Sequence, residues 1–68
     1  MKLTYSKKND VLYICLDPTK RELRNRELSE DVVLDLDAED RIVGIEILDA
    51  SRRVDLDTLL PVEYEQTV

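Results

Sequence analysis

The chain has 68 residues, enough for one small domain, and its 10 Lys and Arg against 16 Asp and Glu give a formal charge of −6. This acidic balance argues against nucleic acid as a partner, because binding to DNA or RNA depends on neutralising phosphates with Lys and Arg. One cysteine and no histidine exclude an internal disulfide, a cysteine-built zinc site and the commonest general base near neutral pH.

The first predicted element is a β-hairpin. Leu3 to Tyr5 and Val11 to Leu16 have the composition of strands, and the polar residues 6–10 between them suit a hairpin loop. Side chains alternate between the two faces of a strand, and in the second strand both faces are apolar. Its two sets are Leu12, Ile14 and Leu16 on one face, and Val11, Tyr13 and Cys15 on the other.

The segment after this hairpin is polar and mixed in charge. Asp17-Pro18 ends the strand, because proline cannot donate a hydrogen bond to a ladder. We interpret Thr19 to Glu30 as a loop with a short edge strand around Leu23 to Leu28, and a helical turn is the alternative.

A second hairpin is the clearest pattern in the chain. Val32 to Asp37 and Arg41 to Leu48 alternate as strands, with Ala38-Glu39-Asp40 as the turn between them. In the first of these strands Val32, Leu34 and Leu36 oppose Val33, Asp35 and Asp37, and in the second Val43, Ile45 and Ile47 oppose Ile42, Gly44, Glu46 and Leu48.

Beyond Leu48 the periodicity changes to that of a helix, and Pro61 ends it. We predict one short helix, with Asp49, Ser51 or Asp55 as the candidate N-cap. A helix of this length is marginal alone, so it must pack on the sheet to be stable. Its apolar residues are Ala50, Val54, Leu59 and Leu60.

These elements together predict an α+β fold, an antiparallel β-meander of four to five strands with a short C-terminal helix packed on one face. We expect one domain over residues 1–61 and an extended or frayed tail over residues 62–68. The face under the helix is predicted to carry Leu12, Ile14, Leu34, Leu36, Val43, Ile45 and Ile47.

The opposite face of the sheet needs another cover, because a strand that is apolar on both sides has both sides buried. We predict a second copy of the chain, with a dimer as the first expectation, since a lone core of this size is weak. The alternative covers are residues 62–68 or residues 19–30. The predicted interface residues are Val11, Tyr13, Cys15, Val33, Ile42 and Leu48.

Charge is divided unevenly along the chain. Residues 1–26 have a net charge of +4 and residues 27–68 a net charge of −10. This division suggests hairpins with complementary surfaces, lying side by side or face to face, within one subunit or between two. The alternative interpretation is that the charges only keep each element solvated.

Candidate chemistry is sparse. Asp35 to Asp40 followed by Glu46 has the spacing of an EF-hand loop, but Asp40 stands where that loop needs glycine and both flanks are strand-like, so we predict no calcium site. Cys15 lies in mid-strand among apolar neighbours, which favours a structural role over a nucleophilic one. We predict no catalytic residues, no metal and no cofactor.

A few polar residues admit a functional interpretation beside a structural one. Tyr5, Tyr13 and Asp10 could form a proton-transfer group, or the tyrosines could reflect strand propensity alone. Arg52-Arg53 could bind an anion or form ion pairs. Gly44 is more distinctive, because a lone glycine in mid-strand marks a bulge or the close approach of a backbone or large side chain.

The segments Met1 to Tyr5, Asp10 to Leu16, Val33 to Asp37 and Arg41 to Ser51 resemble the small bacterial and archaeal family called domain of unknown function 2283. The run from Gly44 to Ser51 is the most specific part. That family commonly has glycine at the position of Asp40, a departure expected to change the turn dihedrals without threatening the fold. The resemblance implies a compact α+β domain of the prokaryotic cytoplasm without an established activity, and some members look like partners of small toxin-like proteins.

We therefore expect a non-enzymatic, self-associating protein-interaction module. Its longest apolar run, Val11 to Leu16, is too short to span a bilayer, and no export signal is apparent, so we expect a cytoplasmic protein without membrane contact. The alternatives are an antitoxin-like partner that neutralises a small basic protein, or a small enzyme or ligand carrier. The latter would need a site between subunits, lined by Tyr5, Tyr13, Asp10 and Asp49.

Overall fold

The structure is a computed structural model that describes residues 1–19 and 22–59. The described chain forms one five-stranded antiparallel sheet and two single-turn helices, which confirms the α+β class. No helix within these residues is long and apolar enough to cross a membrane. The elements are β1 (Lys2–Ser6), β2 (Val11–Cys15), β3 (Arg24–Glu27), β4 (Val32–Leu36), β5 (Ile42–Leu48), α1 (Ala50–Arg53) and α2 (Leu56–Leu59).

The two predicted hairpins lie side by side in the sheet. The strand order is β1-β2-β5-β4-β3, so the last strand enters the centre and pairs with β2. The short strand β3 forms the edge beside β4, which agrees with the edge-strand interpretation of that segment. All neighbouring strands are antiparallel.

The strand pairing sorts the side chains into two faces. Because directly paired residues point to the same side of a sheet, each row of pairs belongs to one face. The core face carries Leu3, Tyr5, Leu12, Ile14, Val32, Leu34, Ile45 and Ile47. The outer face carries Lys2, Thr4, Val11, Tyr13, Cys15, Val33, Asp35, Gly44, Glu46 and Leu48.

A register shift interrupts this alternation near the start of β5. Between Asp35 and Leu36 the pairing partner jumps from Gly44 to Ile42, so β5 contributes one extra residue. Ile42 is thereby paired with Leu36, which lies on the core side like Val32 and Leu34. The Ile42 side chain is nevertheless exposed.

The C-terminal segment forms two helical turns, whereas the sequence predicted one helix. Val54 has an extended backbone (φ −134°, ψ 154°) and separates the two turns. Asp55 then caps α2, because its Oδ1 accepts hydrogen bonds from the backbone nitrogens of Asp57 at 3.1 Å and Thr58 at 3.3 Å. Of the other candidate caps, Asp49 makes no side-chain cap bond and Ser51 lies within α1. Leu60, Pro61 and the predicted tail lie outside the described residues.

Asp10 ties the first hairpin to α1. Its Oδ1 accepts hydrogen bonds from the Tyr5 hydroxyl at 2.7 Å and from the Ser51 backbone nitrogen at 3.0 Å. Its Oδ2 accepts the Ser51 hydroxyl at 2.6 Å, and its carbonyl accepts the Ala50 nitrogen at 2.9 Å. These bonds to the ionised form, first that of the Ser51 side chain, lower the pKa of Asp10.

This anchor directs the helices to the core face. Ala50 is fully buried, and Val54 lines one cavity together with Val32 and Ile47, which are a directly paired couple on the core face. The helical segment therefore meets the predicted side of the sheet through Val54, next to Val32 and Ile47.

The turn between β4 and β5 is closed by another carboxylate. The Oδ1 atom of Asp37 accepts hydrogen bonds at 2.9 Å from the backbone nitrogens of both Glu39 and Arg41. Asp40 has a φ of 63°, in the left-handed region that glycine favours. Asp40 therefore adopts the left-handed backbone conformation at this turn position although it is not a glycine.

Leu12 is the most completely buried large side chain of the described core, at 1% exposure. We expect Leu12→Ala to lower the free energy of unfolding by about 2–5 kcal/mol, because it removes buried methyl groups and leaves a cavity. Urea denaturation at fixed protein concentration measures this loss. Leu28→Ala is the matched control, since Leu28 is 61% exposed and should change the free energy by less than about 0.5 kcal/mol. Equal losses in both variants would contradict the described core.

Candidate functional site

The centre of the outer face is built around the one glycine of the chain. An ideal Cβ at Gly44 would lie 2.7 Å from Cζ and 2.9 Å from Cε1 of Tyr13. Real Cβ atoms do not approach a ring carbon so closely, so the Tyr13 ring occupies the space that a side chain at position 44 would need. A lone glycine in mid-strand predicted a bulge or the close approach of a backbone or large side chain. The structure has the register shift next to Gly44 and the Tyr13 side chain against it.

Two carboxyl groups flank the Tyr13 hydroxyl. Asp35 is paired with Gly44 on one side of β5, and Glu46 is paired directly with Tyr13. Asp35 is only 6% exposed, and its Oδ1 atom is buried without a hydrogen-bond partner among the described residues. We call Tyr13, Asp35 and Glu46 the outer-face cluster.

The ionisation of Tyr13 and Glu46 is shifted toward their protonated forms. Burial, followed by hydrogen bonding to Asp35, raises the pKa of Tyr13 to about 12. Burial and the adjacent charge of Asp35 raise the pKa of Glu46. The hydroxyl of Tyr13 therefore stays protonated at neutral pH and serves as a donor.

Apolar side chains surround the cluster. Val11, Cys15, Val33 and Leu48 share the outer face with Tyr13 and are each partly exposed. Five of the six predicted interface residues thus lie together. Ile42 does not join them, because the register shift pairs it with Leu36.

The proton-transfer group suggested by the sequence is not assembled. Tyr5 is paired with Leu12 and lies on the core face, whereas Tyr13 lies on the outer face. The Asp10 carboxylate accepts hydrogen bonds from the hydroxyl groups of Tyr5 and of Ser51 in α1. The two tyrosines point to opposite faces because side chains alternate along a strand, and the Tyr5–Leu12 pair is next to the Thr4–Tyr13 pair.

The other candidate residues have identifiable local roles. Arg53 forms an ion pair with Asp31, and Arg41 forms one with Asp37 at 3.1 Å. Cys15 is a free thiol paired with Gly44 on the outer face. Asp49 has a left-handed backbone (φ 52°) ahead of α1.

Sequence reasoning missed Asp35 and Glu46 as members of this site. It considered both as calcium ligands or solvated carboxylates, and Glu46 also as an ion-pair partner of Arg52-Arg53. The usable signal was Asp35 itself, an acidic residue between Leu34 and Leu36 in a strand whose neighbours are apolar. That signal could not show which residues meet it, because pairing of β5 with both β2 and β4 is a long-range feature.

Gly44→Ala should displace the Tyr13 ring and lower the free energy of unfolding by about 1–3 kcal/mol, since the new methyl group overlaps the ring. Thermal or urea unfolding measures the loss. In a Tyr13→Ala background the same change should cost nothing or stabilise, because the space is then free and alanine restricts the unfolded chain more than glycine does. An equal cost in both backgrounds would contradict the steric account.

Glu46→Gln should stabilise the chain at pH 7 and change little at pH 4. The pKa of Glu46 is raised in the folded state, so its stabilising contribution is complete below the unfolded pKa and is lost as the pH rises through the folded pKa. The amide stays neutral at both values. The urea midpoints of the variant and the natural chain at the two pH values test this, with Glu27→Gln on the exposed edge strand β3 as the control. A gain of equal size at both pH values would refute the explanation.

Comparison with known proteins places the chain in a family. Residues 2–51 match the family model described as "Protein of unknown function (DUF2283)", a span that runs from β1 to the start of α1. No curated protein and no solved structure matches the chain. The match covers more than half of the sequence and confirms the resemblance noted from the strand motifs. The chain belongs to the DUF2283 family of proteins of unknown function.

Proposed function

We propose that this chain is a non-enzymatic, self-associating interaction module that acts in the cytoplasm, and that its outer face docks onto the same face of a second copy. The observation that carries the proposal is the outer face itself. Val11, Tyr13, Cys15, Val33 and Leu48 lie together there and stay partly exposed, and on the opposite face Val54 of the helical segment lines a cavity with Val32 and Ile47.

The small size of the described core supports a second layer. Within residues 1–19 and 22–59, the apolar side chains that are buried are those of Leu12, Leu36, Val43 and Ala50. A core of this extent contributes little against the conformational entropy of the chain, and assembly is one remedy open to small domains without a disulfide. Packing two sheets face to face would bury the remaining apolar rows.

The chemistry of the outer face favours docking over catalysis. The Tyr13 hydroxyl has a pKa of about 12 and is no base at neutral pH, and the chain has no histidine. Three cavities lined by described residues lie at the helical end or the β3 edge of the sheet. A fourth is lined by Val11 and Leu48 of the outer face together with Arg52 and Arg53, and it does not include Tyr13, Asp35 or Glu46. A flat sheet face with apolar rows is typical of a packing surface.

Sedimentation equilibrium of the purified chain from micromolar to submillimolar concentration tests self-association. We expect a species of twice the 7.9 kDa chain mass. Val11→Asp should shift the equilibrium toward the 7.9 kDa species, because it places a charge among apolar side chains of the docked faces.

Leu28→Asp is the matched control, since Leu28 is exposed away from the outer face and should leave association unchanged. Thr4→Glu is a second variant that should also shift the equilibrium toward the single chain. Thr4 is exposed on the outer face, so its replacement does not disturb the core. A natural chain that sediments only at 7.9 kDa would overturn the proposal and leave the face to a different protein.

A further inference from the structure

We propose that β1 is a second docking surface, at which two copies of the chain pair their β1 strands antiparallel about a two-fold axis through Thr4. β1 is an edge of the sheet, and among residues 1–19 and 22–59 it pairs with β2 alone. The backbone groups along its other side form a template for a further strand. This contact goes beyond the proposed function, because it uses the edge of the sheet and not the outer face.

β1 lacks the features that usually protect an edge strand. All five of its residues pair with β2 in one continuous register, without a bulge. It has no proline, and its one charge, that of Lys2, lies at the first position. Natural proteins protect their edge strands with charges, prolines or bulges, so an edge with so few of them is suited to pairing.

The opposite edge of the sheet is protected by charge. All four residues of β3, Arg24–Glu27, are exposed, and three of them are charged. Facing residues of an antiparallel pair point to the same side of the sheet, so two β3 strands could align about Asn25 or about Arg26. The first alignment sets Arg24 beside the partner's Arg26, and the second sets Arg26 beside the partner's Arg26. Like charges directly opposite each other are destabilising, so self-pairing is favoured at β1 over β3.

The two faces of the sheet fix the register at β1. A two-fold axis perpendicular to the sheet keeps both core faces on one side, so residues that face each other come from the same face. Of the alignments that meet this condition, the one centred on Thr4 pairs all five residues of β1. Thr4 then lies beside the partner's Thr4, Leu3 beside the partner's Tyr5, and Lys2 beside the partner's Ser6.

This register is favourable on both faces. On the core face, Leu3 and Tyr5 are partly exposed, so their pairing brings apolar surface together and extends the core-face rows of both sheets. On the outer face, the two Thr4 hydroxyl groups can bond to each other and Lys2 meets a neutral serine, so no like charges are opposed. The five residue pairs supply about four or six backbone hydrogen bonds, because bonded and non-bonded pairs alternate.

The β1 contact is smaller than the docking of two outer faces, since it joins only five strand residues of each chain. We therefore expect it at higher protein concentrations, where it connects face-docked pairs into larger particles. Covalent trapping detects such a contact even when its affinity is low, because each encounter in the correct register is preserved.

Disulfide trapping tests the contact, since a cysteine on a two-fold axis meets its own copy. In a Cys15→Ser background, Thr4→Cys should form a disulfide-linked dimer at least about tenfold faster than Asn25→Cys. Asn25 is the matched control, because it is exposed on the outer face in the middle of β3. Non-reducing electrophoresis after mild oxidation measures both rates, and equal rates would overturn the inference.

The distances make this trapping specific for the edge contact. Facing residues of antiparallel strands have Cα atoms about 4.5–5.5 Å apart, which is within the range of a disulfide. Sheets docked face to face lie about 10 Å apart, which is too far for this bond. A rapid cross-link at position 4 therefore reports pairing of the edges.

A mixture of two variants tests the register. Lys2→Cys and Ser6→Cys chains, both in the Cys15→Ser background, should cross-link to each other at least about fivefold faster than either does to itself. The reason is that residues 2 and 6 face each other across the axis, whereas equivalent copies of either residue are four positions apart. Mass spectrometry distinguishes the mixed dimer from the two uniform ones. A mixed dimer that forms no faster than the uniform ones would contradict the Thr4-centred register.

Val11→Asp separates this contact from docking of the outer face. It should leave the cross-linking rate of Thr4→Cys unchanged within about twofold, because Val11 lies on the outer face of β2 and not at the sheet edge. Loss of the cross-link in this background would overturn the edge contact and leave the proposed function intact. If the natural chain sediments only at 7.9 kDa, face docking fails and the trapping rates alone decide the β1 contact.

Discussion

The pairing of β2 with β5 at the centre of the sheet is the interaction on which the rest of the structure depends. It joins the first hairpin to the β3-β4-β5 meander, although the two strands are separated by 26 residues of chain, from Leu16 to Arg41. The same pairing sets Leu12 beside Ile47 on the core face and Tyr13 beside Glu46 on the outer face. Both the core and the candidate site therefore follow from one register, and a slip of one residue would exchange the two faces.

Aspartate side chains fix the turns and helix ends around this sheet. Asp10 bonds to α1, Asp37 closes the β4–β5 turn and Asp55 caps α2. Three aspartates, Asp10, Asp40 and Asp49, take left-handed backbone conformations that glycine would otherwise supply. The only glycine of the chain lies inside β5, where the absence of a Cβ makes room for Tyr13. Part of the acidic character of the chain is thus a requirement of its turns.

The outer-face cluster combines two opposing demands. The apolar residues around it favour removal from water, whereas burying the Asp35 and Glu46 carboxyl groups is costly unless a proton or a cation neutralises them. A docked face would have to match these polar groups as well as the apolar residues, which would select one orientation among several that apolar contact alone allows. This is why a polar group in the middle of an apolar face has consequences for specificity.

The sequence by itself determined the local features. Alternation in Val11 to Cys15 and in Val32 to Leu36 predicted both strands and the sorting of their side chains, because a strand repeats every two residues. It also predicted the unusual role of Gly44 and the grouping of Val11, Tyr13, Cys15, Val33 and Leu48, and it pointed to the family. It offered a bulge at Gly44 as one alternative, which agrees with the register shift between Gly44 and Ile42. It did not predict the break at Val54, because a cap depends on hydrogen bonds that several sequences could make.

Only the tertiary structure decided which residues meet across strands. The placement of β5 between β2 and β4 brings Asp35 and Glu46 to Tyr13, and it places Tyr5 on the opposite face from Tyr13. Residues 13, 35 and 46 are far apart in the chain, and local periodicity carries no information about which strand becomes the neighbour of which. That choice depends on long-range strand pairing, which is a property of the assembled sheet.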